Sequence, residues 1–144
     1  MSNKNIDNAD KTALQKLVVR ALADLSALPQ PVVRVSGPLT TGGIGYEGNL
    51  QRFAIAERKL REEGYTVFDY DGYEQGEGGL KDIYTRVPHQ TIMEEFHRPI
   101  LASGLLKKAF QLPGWEDSKG ARWEHDMFLR EGIEVEELPA EWFE

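Results

Sequence analysis

Cysteine is missing from the 144-residue chain, and cationic residues and long apolar runs are scarce. Without cysteine there is no disulfide, no thiolate nucleophile and no zinc–thiolate site. The 17 Lys and Arg residues are outnumbered by 24 Asp and Glu residues, and binding to a nucleic-acid polymer needs clustered cations. We therefore expect no nucleic-acid partner, although a helix N-terminus can still hold a small anion.

The apolar segments are also too short for a membrane protein. No apolar run approaches the roughly 20 residues that cross a bilayer, and the N-terminal MSNKNIDNADK lacks the apolar core of a signal peptide. We expect a cytoplasmic protein that contacts no membrane. With 40% hydrophobic residues, the chain can build one core of ordinary size.

Residues 1–30 predict a disordered lead-in followed by a helix. Apolar residues recur at helical spacing from Leu14 to Leu25, and Asn8 or Asp10 is a suitable N-cap. Two prolines then end the pattern. We interpret this segment as a packing or dimerisation helix that precedes a single domain over residues 31–144.

The rest of the chain alternates between strand and helix patterns. Strands are predicted at 32–36, 66–69, 109–112 and 133–138, and helices at 49–63, 91–108 and 118–130, with a polar loop or lid at 70–90. Gly64 is well placed as the C′ residue of the first of these helices, and Pro99 should kink the second or divide it in two. The alternation predicts an α/β fold with right-handed crossovers and a mostly parallel sheet, whose strand ends after Ser36, Asp69 and Leu112 share one crevice.

The stretch LPGWEDSKGARWE, residues 112–124, carries the first candidate site. Gly114 turns the chain as it leaves a strand, Asp117 or Ser118 can cap the next helix, and Gly120 keeps its first turn narrow. The free backbone N–H groups and the Ser118 hydroxyl would form a small anion-binding nest, within reach of Glu124. Alternatively, Ser118 only caps the helix and Glu124 is solvated.

A loop rich in glycine and hydroxyl groups carries the second candidate site. Small residues there let a ligand approach the backbone, and Asn49 either contacts that ligand or caps the following helix. The candidate ligand-binding residues of this loop and helix are Ser36, Gly37, Pro38, Thr40, Thr41, Tyr46, Asn49 and Phe53.

A rival motif overlaps this loop. Gly43, Gly45 and Gly48 fit the G-x-G-x-x-G fingerprint of dinucleotide binding, and Asp69 follows 21 residues after the last glycine. The fingerprint requires its first glycine at the strand end, however, and six residues intervene after Ser36. We therefore disfavour a dinucleotide cofactor.

The sequence also indicates no metal site. Glu94-x-x-His97 is half of a di-iron motif whose second copy is absent, and His89 stands alone in the polar loop. His125 follows Glu124 and should point about 100° away around the helix. For each histidine we expect a structural or exposed position.

Together the two candidate sites resemble the nucleoside 2-deoxyribosyltransferase-like superfamily, in particular its small bacterial and phage branch. In that branch a strand runs into S-G-P-x-T-G, followed by an Asn and a Phe four residues apart, as Asn49 and Phe53 are here. Its second motif, L-P-G-W-x-x-S-x-G-A-x-x-E, matches residues 112–124 at every fixed position. The resemblance covers roughly residues 32–138.

The resemblance implies a three-layer flavodoxin-like or Rossmann-like domain with four to five strands, here with an extra N-terminal helix. It implies a homodimer or higher oligomer and a nucleoside or nucleotide as ligand. A glutamate at the position of Glu124 would attack the anomeric carbon of a deoxyribosyl group, and a base or water would then resolve the ester. Trp115, Ser118 and the two strand-end loops would bind the ligand.

One part of the pattern is missing. Relatives usually carry one aspartate in the helix before the third strand and another acid just before that strand. Here Arg98 or Pro99 stands near the first position and Lys107 or Lys108 near the second, and no Asp or Glu occurs between Glu95 and Glu116. Proton donation to the leaving base has no obvious agent, although Asp69, Asp71, Glu94 or Glu95 could substitute.

Three functions therefore compete. The first is cleavage or transfer of an N-glycosidic bond through Glu124. The second is a module that binds a nucleotide or an ADP-ribose-like ligand without chemistry. The third is an interaction protein that uses the N-terminal helix and the acidic C-terminus, which has six glutamates from Glu131 to Glu144. The sequence places the enzyme slightly ahead of the binding module.

Overall fold

A computed structural model describes residues 7–38, 44–69, 73 and 79–144 of the chain. The strands are β1 (Val32–Ser36), β2 (Thr66–Val67), β3 (Leu106–Gln111) and β4 (Glu134–Glu137). The helices are α1 (Asn8–Ala27), α2 (Gly45–Glu62), α3 (Leu80–Ile83), α4 (His89–Ile92), α5 (Arg98–Leu101) and α6 (Lys119–Arg130). The chain forms two compact units, one of Met1–Ala27 with Tyr70–Ser103 and the other of Leu28–Asp69 with Gly104–Glu144.

The second unit contains a four-stranded sheet in the order β2-β1-β3-β4, and every pair in it is parallel. The predicted parallel α/β fold is therefore confirmed. The order is that of the first four strands of a flavodoxin-like sheet. In this order β2 is added on one side of β1 and β3 on the other, so the direction of strand addition reverses between β1 and β3. Ligands in such sheets bind outside the carboxyl ends of the strands at that reversal.

Helices α2 and α6 cover opposite faces of this sheet. Because side chains alternate along a strand, Val33 and Val35 pack on one face with Ala56 and Leu60 of α2. On the other face, Arg34 and Ser36 both contact Glu124 of α6. This unit therefore has three layers, and β1 is buried along its whole length. Strand β4 lies at an edge of the described sheet with its glutamates exposed.

The helix ends test the capping predictions. Gly64 follows α2 with φ +98, and Gly64 N and Tyr65 N donate to the carbonyls of Arg61 and Leu60. These bonds form a Schellman motif, which confirms Gly64 as the predicted C′ residue. The alternative in which Asn49 caps this helix was wrong, because α2 begins four residues earlier than predicted and buries Asn49 within it.

The first helix has a different cap from either predicted residue. Asp7, rather than Asn8 or Asp10, accepts the N–H of Ala9 on its carboxylate at 2.6 Å and the N–H of Lys11 on its carbonyl. Asp10 is instead buried and forms an ion pair with Arg86 at 2.8 Å. A buried carboxylate with a tertiary partner cannot be distinguished from a cap by local sequence alone.

The predicted helix over 91–108 was too long. Helix α5 ends at Leu101, Gly104 adopts φ +80, and β3 begins at Leu106. The spacing of leucines continues through the turn, which is why periodicity alone missed the break. A π-helical segment, Met93–His97, ends two residues before Pro99, which lacks the N–H that would continue the α-helical bonds; the kink itself stays a prediction.

The first unit is built around α1. Its buried side chains Leu14, Leu17, Ala21 and Leu25 face the unit's interior, where α1 packs against the π-helical segment and α5. Tyr73 donates to Asp24 at 2.6 Å, and burial together with this carboxylate raises the pKa of the Tyr73 phenol. Part of the predicted polar lid forms α3, and Leu80 and Ile83 of this helix are buried. Within the described residues, no helix is long and apolar enough to cross a membrane.

Candidate functional site

The site lies where β1 and β3 end side by side. Ser36 and Gln111 are the last residues of these strands and are paired in register, so their side chains share one face of the sheet. Both are almost completely buried, with 0% and 2% of their surfaces exposed. Helix α6 covers this face, and the loop that precedes it leaves β3 directly after Gln111.

Glu124 is the charged centre of the site. It is 6% exposed, and its Oε1 accepts a hydrogen bond from the Ser36 hydroxyl at 2.7 Å. Its Oε2 lies 3.0 Å from Nη2 of Arg34, which is itself 4% exposed. The guanidinium supplies the counter-charge that a buried carboxylate requires. The alternative in which Glu124 is solvated was wrong, and Arg34 is a site residue that sequence reasoning missed.

A second group of side chains adjoins the first. Oε1 of Gln111 lies 3.1 Å from Nδ1 of His125, and the Trp115 ring stacks on the imidazole at 4.3 Å between centroids. Trp115 Nε1 donates to Glu137 at 3.2 Å, which ties the stack to β4. The amide Nε2 of Gln111 is buried and makes no hydrogen bond to any residue that the structure describes. Trp115, which was predicted to bind the ligand, thus stacks on His125.

Gln111 and His125 were not among the predicted site residues. His125 was expected to point away from Glu124, and it does turn to a different strand. Glu124 contacts β1, whereas His125 contacts β3. These strands are neighbours in the sheet, so the turn of about 100° along the helix moves the second side chain only one strand over. The register of β1 with β3 is the signal that would have found both residues.

The two predicted loops meet at Gly37 and Leu112. Leu112 N donates to the carbonyl of Ser36 at 2.8 Å, and a Cβ on Gly37 would lie 2.8 Å from Cβ of Leu112. Arg52 of α2 donates to the carbonyl of Pro113 at 2.8 Å. Gly114 then takes φ +87 to turn the chain into the short 3₁₀ helix that carries Trp115.

Ser118 is the N-cap of α6. Its hydroxyl accepts the N–H of Ala121 at 3.2 Å, which confirms the capping interpretation and excludes Asp117 as the cap. Gly120 lies in the first turn, as predicted. The cap places Glu124 on the buried side of the helix, where it reaches β1.

The other predicted ligand residues have varied surroundings. Asp69 forms an ion pair with Arg61 of α2 at 2.7 Å, which gives this carboxylate a partner other than a ribose hydroxyl. Tyr46 is half-buried in the first turn of α2, and Pro38 is buried after β1. Thr40 and Thr41 lie outside the described residues, as does Gly43 of the rival glycine fingerprint.

The structure also bears on the half metal motif. Glu94 pairs with Arg98 through two hydrogen bonds of 2.6 and 2.9 Å. Across the part of the chain that the structure describes, no three His, Asp or Glu residues converge on a point where a metal ion could bind.

The four site residues Arg34, Ser36, Gln111 and Glu124 lie in a segment that matches a family model. The family model described as "Domain of unknown function (DUF4406)" matches residues 31–137. The chain belongs to this family. The DUF4406 segment begins just before β1 and ends at β4, so it includes the whole site and excludes α1. Neither the curated proteins nor the solved structures contain a match to the chain.

Proposed function

We propose that the protein cleaves the N-glycosidic bond of a nucleoside or nucleotide, or transfers its 2-deoxyribosyl group, with Glu124 as the nucleophile. The observation that carries this proposal is the buried Glu124 carboxylate, fixed between Ser36 and Arg34 at the carboxyl ends of the parallel strands. Ligands of this class of sheet bind at that edge.

The chemistry of the carboxylate fits this reaction. Departure of a base leaves positive charge at the anomeric carbon, and a carboxylate can stabilise that charge and then bond to the carbon. A hydrogen bond from Ser36 and the ion pair with Arg34 hold the two oxygens of Glu124 in fixed positions, which reduces the reorganisation needed for attack. Both Glu124 oxygens face donors, the Ser36 hydroxyl and the Arg34 guanidinium, which suits a nucleophile rather than a proton donor.

The loop sequence supports the same proposal. Residues 112–124 carry the complete L-P-G-W-x-x-S-x-G-A-x-x-E pattern that resembles deoxyribosyltransferase-like proteins. Each fixed residue discussed above has a place in the geometry: Gly114 makes the turn, Ser118 caps α6 and Glu124 meets β1. A nucleoside or nucleotide is therefore the proposed ligand.

The test is incubation of the purified protein with pooled nucleosides and nucleotides, followed by mass spectrometry of ligands and protein. We expect release of free base and an adduct of one deoxyribosyl mass on Glu124. Glu124→Gln preserves the size and one accepting oxygen but removes the charge and the nucleophilic carboxylate, and should reduce turnover by about 10³-fold or more. Glu116→Gln, on the exposed 3₁₀ helix of the same loop, is the matched control and should retain turnover.

Circular dichroism must show that Glu124→Gln remains folded, because this change leaves Arg34 without its counter-charge. Full turnover by folded Glu124→Gln would exclude Glu124 as the nucleophile. Tight binding of a nucleotide by the wild-type protein without cleavage would favour the binding module instead.

A further inference from the structure

The proposed reaction needs a proton for the departing base, and the sequence has no acid where relatives usually carry one. No Asp or Glu occurs between Glu95 and Glu116. We infer that His125 donates this proton and that Gln111 positions it; this inference rests on the proposed function. Imidazole is the side chain that most readily carries and releases a proton near neutral pH.

The placement of His125 relative to Glu124 is the first argument. The two residues are consecutive in α6, and their side chains contact the ends of β1 and β3. Neighbouring strands lie roughly 4.8 Å apart. A carboxylate above one strand and an imidazole above the next can therefore face the anomeric carbon and the leaving nitrogen of the same glycosidic bond.

The orientation of the ring is the second argument. Nδ1 of His125 lies 3.1 Å from the amide oxygen of Gln111, which can accept the hydrogen that Nδ1 carries in the imidazolium. Proton exchange then falls to Nε2. Trp115, anchored on Glu137, stacks on the ring with an interplanar angle of 20° and limits its rotation. His125 is half-buried, so it can regain its proton from solvent.

The amide nitrogen of Gln111 is the third argument. It is buried, makes no hydrogen bond within the described part of the chain, and belongs to a residue paired in register with Ser36. Unpaired buried donors are rare in folded proteins, and those that occur need an explanation. An uncharged sugar oxygen bound beside Glu124 would accept from this nitrogen, and the amide would then touch the ligand at one end and His125 at the other.

The step balances as follows. A Glu124 oxygen forms a bond to the anomeric carbon while the C–N bond breaks, and its electron pair goes to the base nitrogen. That nitrogen takes the proton from Nε2 of the imidazolium, which becomes neutral. Water, or a second base, then attacks the anomeric carbon and gives its proton to Nε2, which frees Glu124 and restores the imidazolium.

The experiment compares two leaving groups. A 2-deoxynucleoside needs protonation of its base, whereas 4-nitrophenolate leaves a 2-deoxyribofuranoside without a proton. We expect His125→Asn to lower kcat/KM for the nucleoside by about 10²-fold or more and to change that for the nitrophenyl substrate by less than about threefold. His89→Asn, in the other compact unit, is the control and should change neither.

Gln111 is tested as a positioning residue in the same assay. Gln111→Leu removes the acceptor of Nδ1 and should reproduce the selective loss with the nucleoside, whereas Gln111→Glu keeps an oxygen there and should restore part of it. An equal loss of activity with both substrates in His125→Asn would show a structural role and overturn this inference. Unchanged activity of His125→Asn with both substrates would overturn it as well.

The two proposals fail in different ways. Turnover by the wild-type protein with no selective effect at His125 overturns only the proton-donor assignment. If the wild-type protein turns over neither the nucleoside nor the nitrophenyl substrate, the proposed function is overturned and this assignment with it.

Discussion

Among single residues of the site, Glu124 and Arg34 are the ones whose substitution should lower the free energy of unfolding most. Both side chains are nearly inaccessible, at 8% and 5% exposed, and each is the other's counter-charge. Removal of one partner of such a pair commonly costs about 3–5 kcal/mol, because the remaining charge stays buried. Any substitution of Glu124 must therefore be checked for folding before its activity is interpreted. Ser36 adds a neutral hydrogen bond that fixes the other carboxylate oxygen.

Gly37 permits a close approach that another residue would prevent. A Cβ there would meet Cβ, Cγ and Cδ1 of Leu112 within 2.9 Å, and the nearest of these atoms cannot rotate away. Gly37 is not among the described glycines with positive φ, so steric crowding rather than backbone strain determines the effect. We expect Gly37→Ala to destabilise the fold by about 1–3 kcal/mol in urea unfolding.

The double variant with Leu112→Ala removes Cγ and Cδ1 of Leu112 from this contact and keeps its Cβ. If the outer atoms contribute to the crowding, the double variant should be less destabilised than the sum of the two single changes. Simple additivity would show that Cγ and Cδ1 of Leu112 do not contribute to the cost of Gly37→Ala.

At the scale of elements, local signals placed most helices and strands correctly. Strand β1 was predicted with its observed bounds, and the C-terminal glycine of α2 was correctly identified. The helix before β3 was extended too far, because the leucine spacing of a helix continues into a buried strand. In the structure Lys107 and Lys108 lie within β3, and Lys108 forms ion pairs with Glu136 and Glu134 of β4. The missed residues of β3 include two lysines that are not buried, so no apolar strand pattern marks the start of this strand.

The cap of α6 can be tested directly. Ser118→Ala removes the acceptor of the Ala121 N–H, and we expect a loss of about 1 kcal/mol in the free energy of unfolding. Ser118→Asp keeps an acceptor and should retain most of the stability. Ser26→Ala, which removes an exposed hydroxyl late in α1, is the neutral control. Equal stability of Ser118→Ala and the wild-type protein in urea unfolding would contradict the capping role.

At the scale of the whole molecule, the family segment and the folded units do not coincide. The DUF4406 match begins at residue 31, yet α1 precedes it and packs against segments that lie within the match. Phe96, Ile100 and Leu101 are buried in the unit that α1 completes. This contact supports the packing interpretation of the N-terminal helix, and dimerisation through it stays a prediction.

A pair of variants on α1 tests this structural role. Leu14 is 1% exposed and Val19 is 68% exposed on the same helix. Leu14→Ala should destabilise the protein by about 2–5 kcal/mol, because it leaves a cavity in a buried interface. Val19→Ala should change stability by less than about 0.5 kcal/mol. Thermal unfolding followed by circular dichroism distinguishes the two, and similar small effects of both would show that α1 does not stabilise its unit.

The sequence by itself determined the local features: the alternation of strands and helices, the turn at Gly114, the cap at Ser118 and the candidate Glu124. These follow from periodicity and from short motifs, in which the interacting groups are close in the chain. Only the tertiary structure decided which side chains meet at Glu124. Arg34 and Ser36 come from a strand about 90 residues away.

The partner of Ser36 depends on one irregularity of the sheet. Val32 pairs with Leu106, but Val33 pairs with Lys108, so one extra residue shifts the register of β3. Continued without that shift, the pairing would have placed Phe110 rather than Gln111 beside Ser36. A one-residue shift exchanges the two faces of a strand, and no local pattern marks where it occurs. That shift places Gln111, and with it His125, next to Glu124.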